Sequence, residues 1–438
     1  MITPQITPTS LVSKGLSFLL LFQMSVAAQK PTANYDEAAV GDYVLPAALR
    51  MQDGSAVESS TVWTTRRRPE VLRLFQDHVY GHTPTNWGHL QVELRDVRQD
   101  ALKGTAIRKL IHLSLKERPE WSGIDVLLYL PKGVQKQVPC FVGLNFQGNH
   151  ACTWESDIPI SKNFIRDTEV AASRKKNTPP DPESTRGSHH SRWVPEQIIA
   201  AGYGVATAYY GDIEPDYAEG WKQSLRGALS PKGAETVWQD TDWGGIGAWA
   251  WGLSRILDCL ETVEQVDAKR CAVIGHSRLG KTALWAAAQD ERFSIAISNN
   301  SGEGGAALMR RNYGETVAII TKAFPHWFAG RFSTYANNEA ACPTDQHLLI
   351  SLIAPRPVAI GSAVDDKWAD PKGEFLSGLH AGPVYELFGK HGIGTTEQPA
   401  VGQFVGDSVG YHIREGAHDI TSVDWDRYLT FCKHHWTK

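Results

Sequence analysis

The sequence has no excess of basic charge. Its 44 lysines and arginines face 48 acidic residues, for a net charge of -4. No surface for nucleic acid is predicted from such a balance, and no acidic block marks a disordered tail. Long apolar runs are nearly absent. The one that stands out, residues 16–22, is too short for a comfortable membrane span, and nothing after it is long enough. The six cysteines (Cys140, Cys152, Cys259, Cys271, Cys342 and Cys432) form no C-x-x-C pair and no metal-ligand spacing. No metal site is therefore expected. There is no internal repeat, and no linker separates a second core.

What is present points to a secreted globular protein. The 438 residues, 42% apolar and 21% charged, suffice for a large core. Lys14 precedes the short apolar run, and Val26-Ala27-Ala28 offers small residues for cleavage. This pattern predicts a signal peptide over residues 1–28 and a secreted or periplasmic mature chain, 29–438. That compartment permits disulfides, although spacing assigns none. Fifteen tryptophans are many. Flat indoles line sugar-binding clefts, but most tryptophans in any chain belong to the core.

Residues 29–60 read as a wrapping or flexible lead. A helix is predicted over 69–80, with Pro69 at its start and Gly81 at its stop. Strands are predicted at 107–115, 124–130 and 140–146. Residues 148–192 are polar and carry Pro179-Pro180-Asp181-Pro182 and His189-His190, as a long surface insertion would. A histidine pair alone, without further ligands, does not define a metal site. Beyond it the pattern alternates: helix 194–201, strand 204–210, helix 245–266, strand 271–274, a helix from 282, strand 293–298, helix 343–349, strand 356–361, helix 374–388, strand 409–413 and helix 420–436. Pro383 is expected to break or kink its helix. The alternation predicts an α/β fold: helices on both faces of a mostly parallel sheet of about eight strands, in a single catalytic domain.

One stretch organises the rest. Cys271-Ala272-Val273-Ile274 is an apolar strand, and Thr282-Ala283-Leu284-Trp285 begins a helix. Between them lies Gly275-His276-Ser277-Arg278-Leu279-Gly280-Lys281. A serine on a glycine-flanked strand-to-helix corner is the nucleophile elbow of an α/β hydrolase, although the second glycine comes one residue late. That fold carries its triad in the chain order serine, acid, histidine, on loops after successive strands. Asp365-Asp366 follows the strand at 356–361, and His418 follows the strand at 409–413. Ser277, Asp366 and His418 are the candidate triad. Asp365 and Glu303 remain rivals for the acid, and His412 is a rival base within a strand. Arg278 and Lys281 lie three apart in the first helical turn, where cations are mildly unfavourable. They suggest a site that needs positive potential, such as an oxyanion hole to which the Arg278 N–H contributes. The alternative is that each pairs with an acidic neighbour.

The stretch from Gly275 to Lys281 resembles the G-C/H-S-R-x-G-K signature of the glucuronoyl esterases, carbohydrate esterase family 15. Ser301-Gly302-Glu303-Gly304-Gly305, Asp345-Gln346-His347, Ala354-Pro355-Arg356-Pro357, Asp370-Pro371-Lys372-Gly373-Glu374-Phe375 and Gly416-Ala417-His418 are similar to the same family. The resemblance spans nearly the whole mature chain, and its long insertions are those of the bacterial branch. It implies a secreted α/β hydrolase without a cofactor. The substrate it implies is the ester between glucuronic or 4-O-methyl-glucuronic acid of glucuronoxylan and lignin alcohols. It implies Ser277 as nucleophile, His418 as base and Arg278 in the oxyanion site. Lys281 and Glu315 would bond sugar hydroxyls, and Trp368 would pack on the uronic ring. Asn300 falls where fungal members carry a catalytic glutamate. The family's alternative acid, before a D-x-W tryptophan, is Asp366 here. Neither nucleic acid nor a partner chain is implied, and a monomer is expected. Two other readings remain: a different carbohydrate esterase, of acetyl-xylan or dienelactone type, and a non-catalytic carbohydrate-binding protein.

Overall fold

Ten strands form one sheet in the computed structural model, which describes residue 1, residues 32–163, residue 165 and residues 182–437. The predicted leader cleavage site and part of the insertion lie outside the described residues. The strands are β1 (Leu90–Asp100), β2 (Ala106–Leu115), β3 (Ile124–Pro131), β4 (Val138–Asn145), β5 (Gly204–Tyr209), β6 (Val266–His276), β7 (Ile295–Asn299), β8 (Val358–Ala363), β9 (Phe404–Gly406) and β10 (Val409–Arg414). Their order across the sheet is β1-β2-β3-β5-β4-β6-β7-β8-β10-β9. The run from β5 to β10 is parallel, while β1, β2, β3 and β9 pair antiparallel at the two edges.

The parallel strands are apolar throughout because both their faces are covered. In β6, Cys271 and Val273 pack in one hydrophobic cluster, while Ala272 and Ile274 pack in the other. Alternate residues of a strand point to opposite faces, so the two clusters are the two sides of the sheet. Helices Gly245–Glu261 and Arg278–Gln289 fill one side with Trp249, Ile256, Leu284 and Trp285. The C-terminal helix Ser422–Trp436 fills the other with Trp425, Tyr428 and Phe431.

Two strands beyond the expected eight are both at edges. β1 is exposed along almost its whole length, and a bulge between Leu94 and Asp96 shifts its register. The bulge moves the alternation by one residue, which erases the period-two signal. β9 has only three residues. The helix expected over 245–266 ends at Glu261, and Val266 opens β6. Pro383 does not break its helix, which runs Pro371–Glu386 and is capped by Asp370. The helix around Pro69 ends as expected at Gly81, whose φ is +83°. A β-carbon there would lie 2.2 Å from the Asp242 carbonyl oxygen.

Among the described residues the lead is an ordered strap. Asn34 accepts the Gly314 N–H at 2.8 Å, Glu37 pairs with Arg311 at 2.7 Å, and the Pro46 carbonyl accepts from His347 at 2.8 Å. All six cysteines are buried and unpaired with one another. No helix among the described residues is long and apolar enough to cross a membrane.

Candidate active site

Ser277 joins β6 to the helix Arg278–Gln289 with φ 57° and ψ −129°. A non-glycine residue held there costs about 1–3 kcal/mol, which the surrounding structure must absorb. The Ser277 N–H donates to the Asn299 carbonyl of β7 at 2.9 Å. A β-carbon on Gly275 would sit 1.9 Å from the Leu279 carbonyl oxygen. The first helical turn therefore closes on the strand only because position 275 has no side chain. The late glycine has its own reason. A β-carbon on Gly280 would lie 3.0 Å from Ser301 Cβ and 3.1 Å from the Gly275 carbonyl oxygen. Gly280 marks the close approach of helix to sheet, and Leu279 at the usual glycine position is buried in the core.

The loops after β8 and β10 bring Asp366 to His418. Asp366 Oδ2 lies 2.5 Å from His418 Nδ1 and accepts from Asn300 Nδ2 at 2.8 Å. Burial pushes this carboxyl up, but the bonds from His418 and Asn300 outweigh it and hold the group below its usual range. The rivals are placed elsewhere. Asp365 is exposed, and its N–H is tied to the Gly416 carbonyl. Glu303 is buried, and its main charged neighbours are Asp345, Glu315, Glu339 and Lys281. Burial and those carboxylates push it well above the carboxylate range. His412 pairs with Asp424 at 2.8 Å inside the core.

His276, directly before Ser277, is not among the residues singled out from sequence, and it packs beside the candidate base. Its ring lies 4.5 Å from the His418 ring, and its Nδ1 bonds Asn299 Oδ1 at 2.7 Å. Burial, with the adjoining His418, pushes its pKa well down and keeps it neutral. The end of the insertion packs near this region. Arg192 pairs with Asp419 at 2.7 Å, beside His418, and Ser188 bonds Gln147 at 2.8 Å.

A cavity of about 340 Å³ opens over the elbow. Ser277, Arg278, Lys281, Glu315, Asp366, Trp368 and His418 line it, whereas the rivals Asp365, Glu303 and His412 do not. That volume suits a small polar ligand such as one sugar ring. Lys281 is 3% exposed. Its ammonium donates to the Ser301 carbonyl at 2.5 Å and lies 3.9 Å from Glu315. Arg278 lies 3.2 Å from Asp216. Each cation therefore has an acidic neighbour while still facing the cavity. Glu315 and Trp368 are brought together by the main chain: the Glu315 N–H donates to the Trp368 carbonyl at 2.9 Å. Gly314, at φ +66°, permits this, since a β-carbon would lie 2.4 Å from that carbonyl oxygen. Trp368 itself is 42% exposed, unlike the fully buried Trp63, Trp249, Trp285 and Trp425.

His189 and His190 belong to no group of three possible metal ligands among the described residues. Asp407, His434 and His435 do form one, at the opposite end of β10 from His418.

Glu374, part of a family motif in the sequence, has a role there that only the structure shows. It is fully buried and accepts the N–H groups of Ser301 and Gly302 at 2.7 and 3.0 Å, with Ser362 Oγ 2.6 Å away. It thereby holds the turn that presents Asn300 to Asp366. Burial pushes Glu374 up to about 8. The folded protein thus keeps a proton that the unfolded chain releases near 4.5. The resulting stability is present below that value and lost as pH rises towards 8. Glu374→Gln retains the acceptor oxygen and has no proton to lose. Between about pH 5 and 8 the wild-type Tm should fall further than that of the variant by calorimetry. Parallel curves would remove this assignment.

The sheet, the elbow and the loop-borne carboxylate and histidine define the class: a hydrolase of the α/β-hydrolase fold with a serine at the head of its central helix. A family model for fungal glucuronyl esterases matches residues 232–389. A carbohydrate esterase from an unknown prokaryotic organism is 45% identical over 413 residues, 94% of each chain. A 4-O-methyl-glucuronoyl methylesterase of Podospora anserina is 38% identical over 135 residues, 28% of each chain. The solved glucuronoyl esterase from Solibacter usitatus is 46% identical with a TM-score of 0.85, covering 91% of this chain and all of that one. The chain belongs to the glucuronoyl esterases of carbohydrate esterase family 15.

Proposed function

We propose that this esterase cleaves the ester joining glucuronic or 4-O-methyl-glucuronic acid of glucuronoxylan to lignin alcohols, through an acyl-enzyme on Ser277. Ser277 Oγ attacks the ester carbonyl while His418 Nε2 takes its proton. Asp366 holds the imidazole with Nδ1 protonated and balances the imidazolium that forms. The tetrahedral oxyanion is met by the Arg278 N–H at the helix start and by the Arg278 guanidinium. His418 then returns the proton to the departing alcohol. A water molecule, deprotonated by His418, releases the glucuronate and frees Ser277. Lys281 and Glu315 bond the sugar hydroxyls, and Trp368 packs on the ring face. The mature chain, freed of a leader over 1–28, acts outside the cytoplasm as a single catalytic domain.

The observation that carries the reading is the 2.5 Å His418–Asp366 bond at the wall of the cavity that Ser277 also lines. The competing reading is a general carbohydrate esterase. Benzyl glucuronate and an aryl acetate separate the two. The expected result is a far higher kcat/KM on the glucuronate ester, and comparable values would favour the general esterase. In the substrate the uronic carboxyl is esterified and neutral. Arg278 therefore has no substrate carboxylate to pair with, and it acts on the charge that develops in the reaction. Arg278→Ala should lower kcat by about 10²–10³ with KM little changed. Equal losses in turnover and in substrate binding would contradict this.

A further inference from the structure

The Arg278 guanidinium is held more firmly than an exposed first-turn arginine would be. Its centre lies 5.3 Å from the Phe146 ring and 5.1 Å from the Trp327 ring. Its Nη1 lies 3.2 Å from Asp216 Oδ2 and donates to the Tyr210 hydroxyl at 3.4 Å. The Tyr210 hydroxyl in turn donates to the same Asp216 oxygen at 3.0 Å. The arginine Nε is buried and has no partner among the described residues. One nitrogen, Nη1, therefore carries the polar anchoring.

Asp216 is the hub of this arrangement. It is 1% exposed and does not line the cavity. Its second oxygen, Oδ1, lies 2.8 Å from His326 Nε2 and accepts from Trp327 Nε1 at 2.7 Å. Those two residues are pinned in turn, because their carbonyls accept the N–H groups of Gly245 and Ile246 at 2.7 and 3.0 Å. The carboxylate thus ties together two parts of the cavity wall, Arg278 and the Trp327 ring, and fastens both to the start of the long helix Gly245–Glu261. Burial pushes Asp216 up, but its donors bring it down to about 2, so it stays ionised.

We propose that Asp216 is a positioning residue for the ester hydrolysis: it fixes the Arg278 guanidinium against Trp327 so that the cation is already in place when the oxyanion forms. This rests on the role given to Arg278 above. Preorganised charge accelerates the chemical step because nothing has to reorient as charge develops. A residue that acts only through Arg278 should affect turnover rather than substrate binding, and should cost nothing once Arg278 is gone.

The test is a double-mutant cycle on benzyl glucuronate with Asp216→Asn, Arg278→Ala and the pair. The amide sets an NH₂ against donors on one side of the hub, so the hydrogen-bond set cannot be rebuilt. Asp216→Asn should lower kcat by about 10–100-fold and change KM by less than about threefold. In the Arg278→Ala background it should lower kcat by less than about twofold. The same loss in both backgrounds would overturn the positioning role while leaving Arg278 itself intact. Wild-type turnover in Arg278→Ala alone would instead remove the role of Arg278, and the proposal with it. If Asp216→Asn does not fold, as judged by its melting curve, Tyr210→Phe replaces it in the same cycle. That variant removes one member of the hub and should lower kcat by about 3–10-fold only when Arg278 is present.

Discussion

Ser277→Ala should lower kcat on a glucuronate ester by about five to six orders of magnitude and leave KM nearly unchanged. Removing Oγ removes the proposed nucleophile, and no neighbouring group can take its place. Lys281 is tied to the Ser301 carbonyl, and the six thiols are all buried. The substrate contacts proposed for Lys281, Glu315 and Trp368 do not involve Oγ, so ground-state binding should survive. The elbow itself should also survive, because alanine occupies the same backbone position and Gly275 still admits the helix. A discontinuous assay of released glucuronate, alongside a melting curve, checks both halves. Hydrolysis at the wild-type rate would remove Ser277 as nucleophile and revive the non-catalytic reading.

Asp366→Asn should cost about 10⁴ in kcat with little change in fold. The cause is the proton on His418. Asp366 Oδ2 accepts from His418 Nδ1 and from Asn300 Nδ2. Both donors meet this one oxygen: an amide that keeps its oxygen there loses the charge that balances the imidazolium, and one that turns its NH₂ there opposes both donors. The imidazole is driven towards the tautomer that carries its proton on Nε2, which cannot accept the serine proton. Neither rival carboxylate stands in position to compensate: Asp365 is exposed, and Glu303 is buried among other acids. Measuring kcat for Asp366→Asn beside Asp365→Asn and Glu303→Gln checks this. A loss at Glu303 as large as that at Asp366 would mean that a second acid supports the base.

Much of this site was legible in the chain. The corner at Ser277 reads from local pattern alone, since an apolar strand, a glycine-flanked serine and a helix are contiguous. Asp366 and His418 read from order, because each follows an apolar strand in the sequence expected of the fold. The asymmetry of the misses is physical. β1 faces solvent and is bulged, so burial imposes no period on it. Glu374 and Asp216 sit among ordinary acidic residues in the sequence, and nothing local says that one pins a turn 72 positions away or that the other clamps an arginine.

The sequence by itself determined the α/β class, the elbow and the order of the reacting groups. These depend on the periodicity of burial and on backbone chemistry within a few residues. Only the tertiary structure set Asp366, and not Asp365 or Glu303, against His418. Only it moved the second glycine from a defect to a contact point between helix and sheet. Only it showed that the two cations of the elbow are held by carboxylates, with Asp216 behind one and Glu315 beside the other. Those choices are pairings between distant segments, decided by burial and by which donors reach which oxygens, and a linear pattern carries neither.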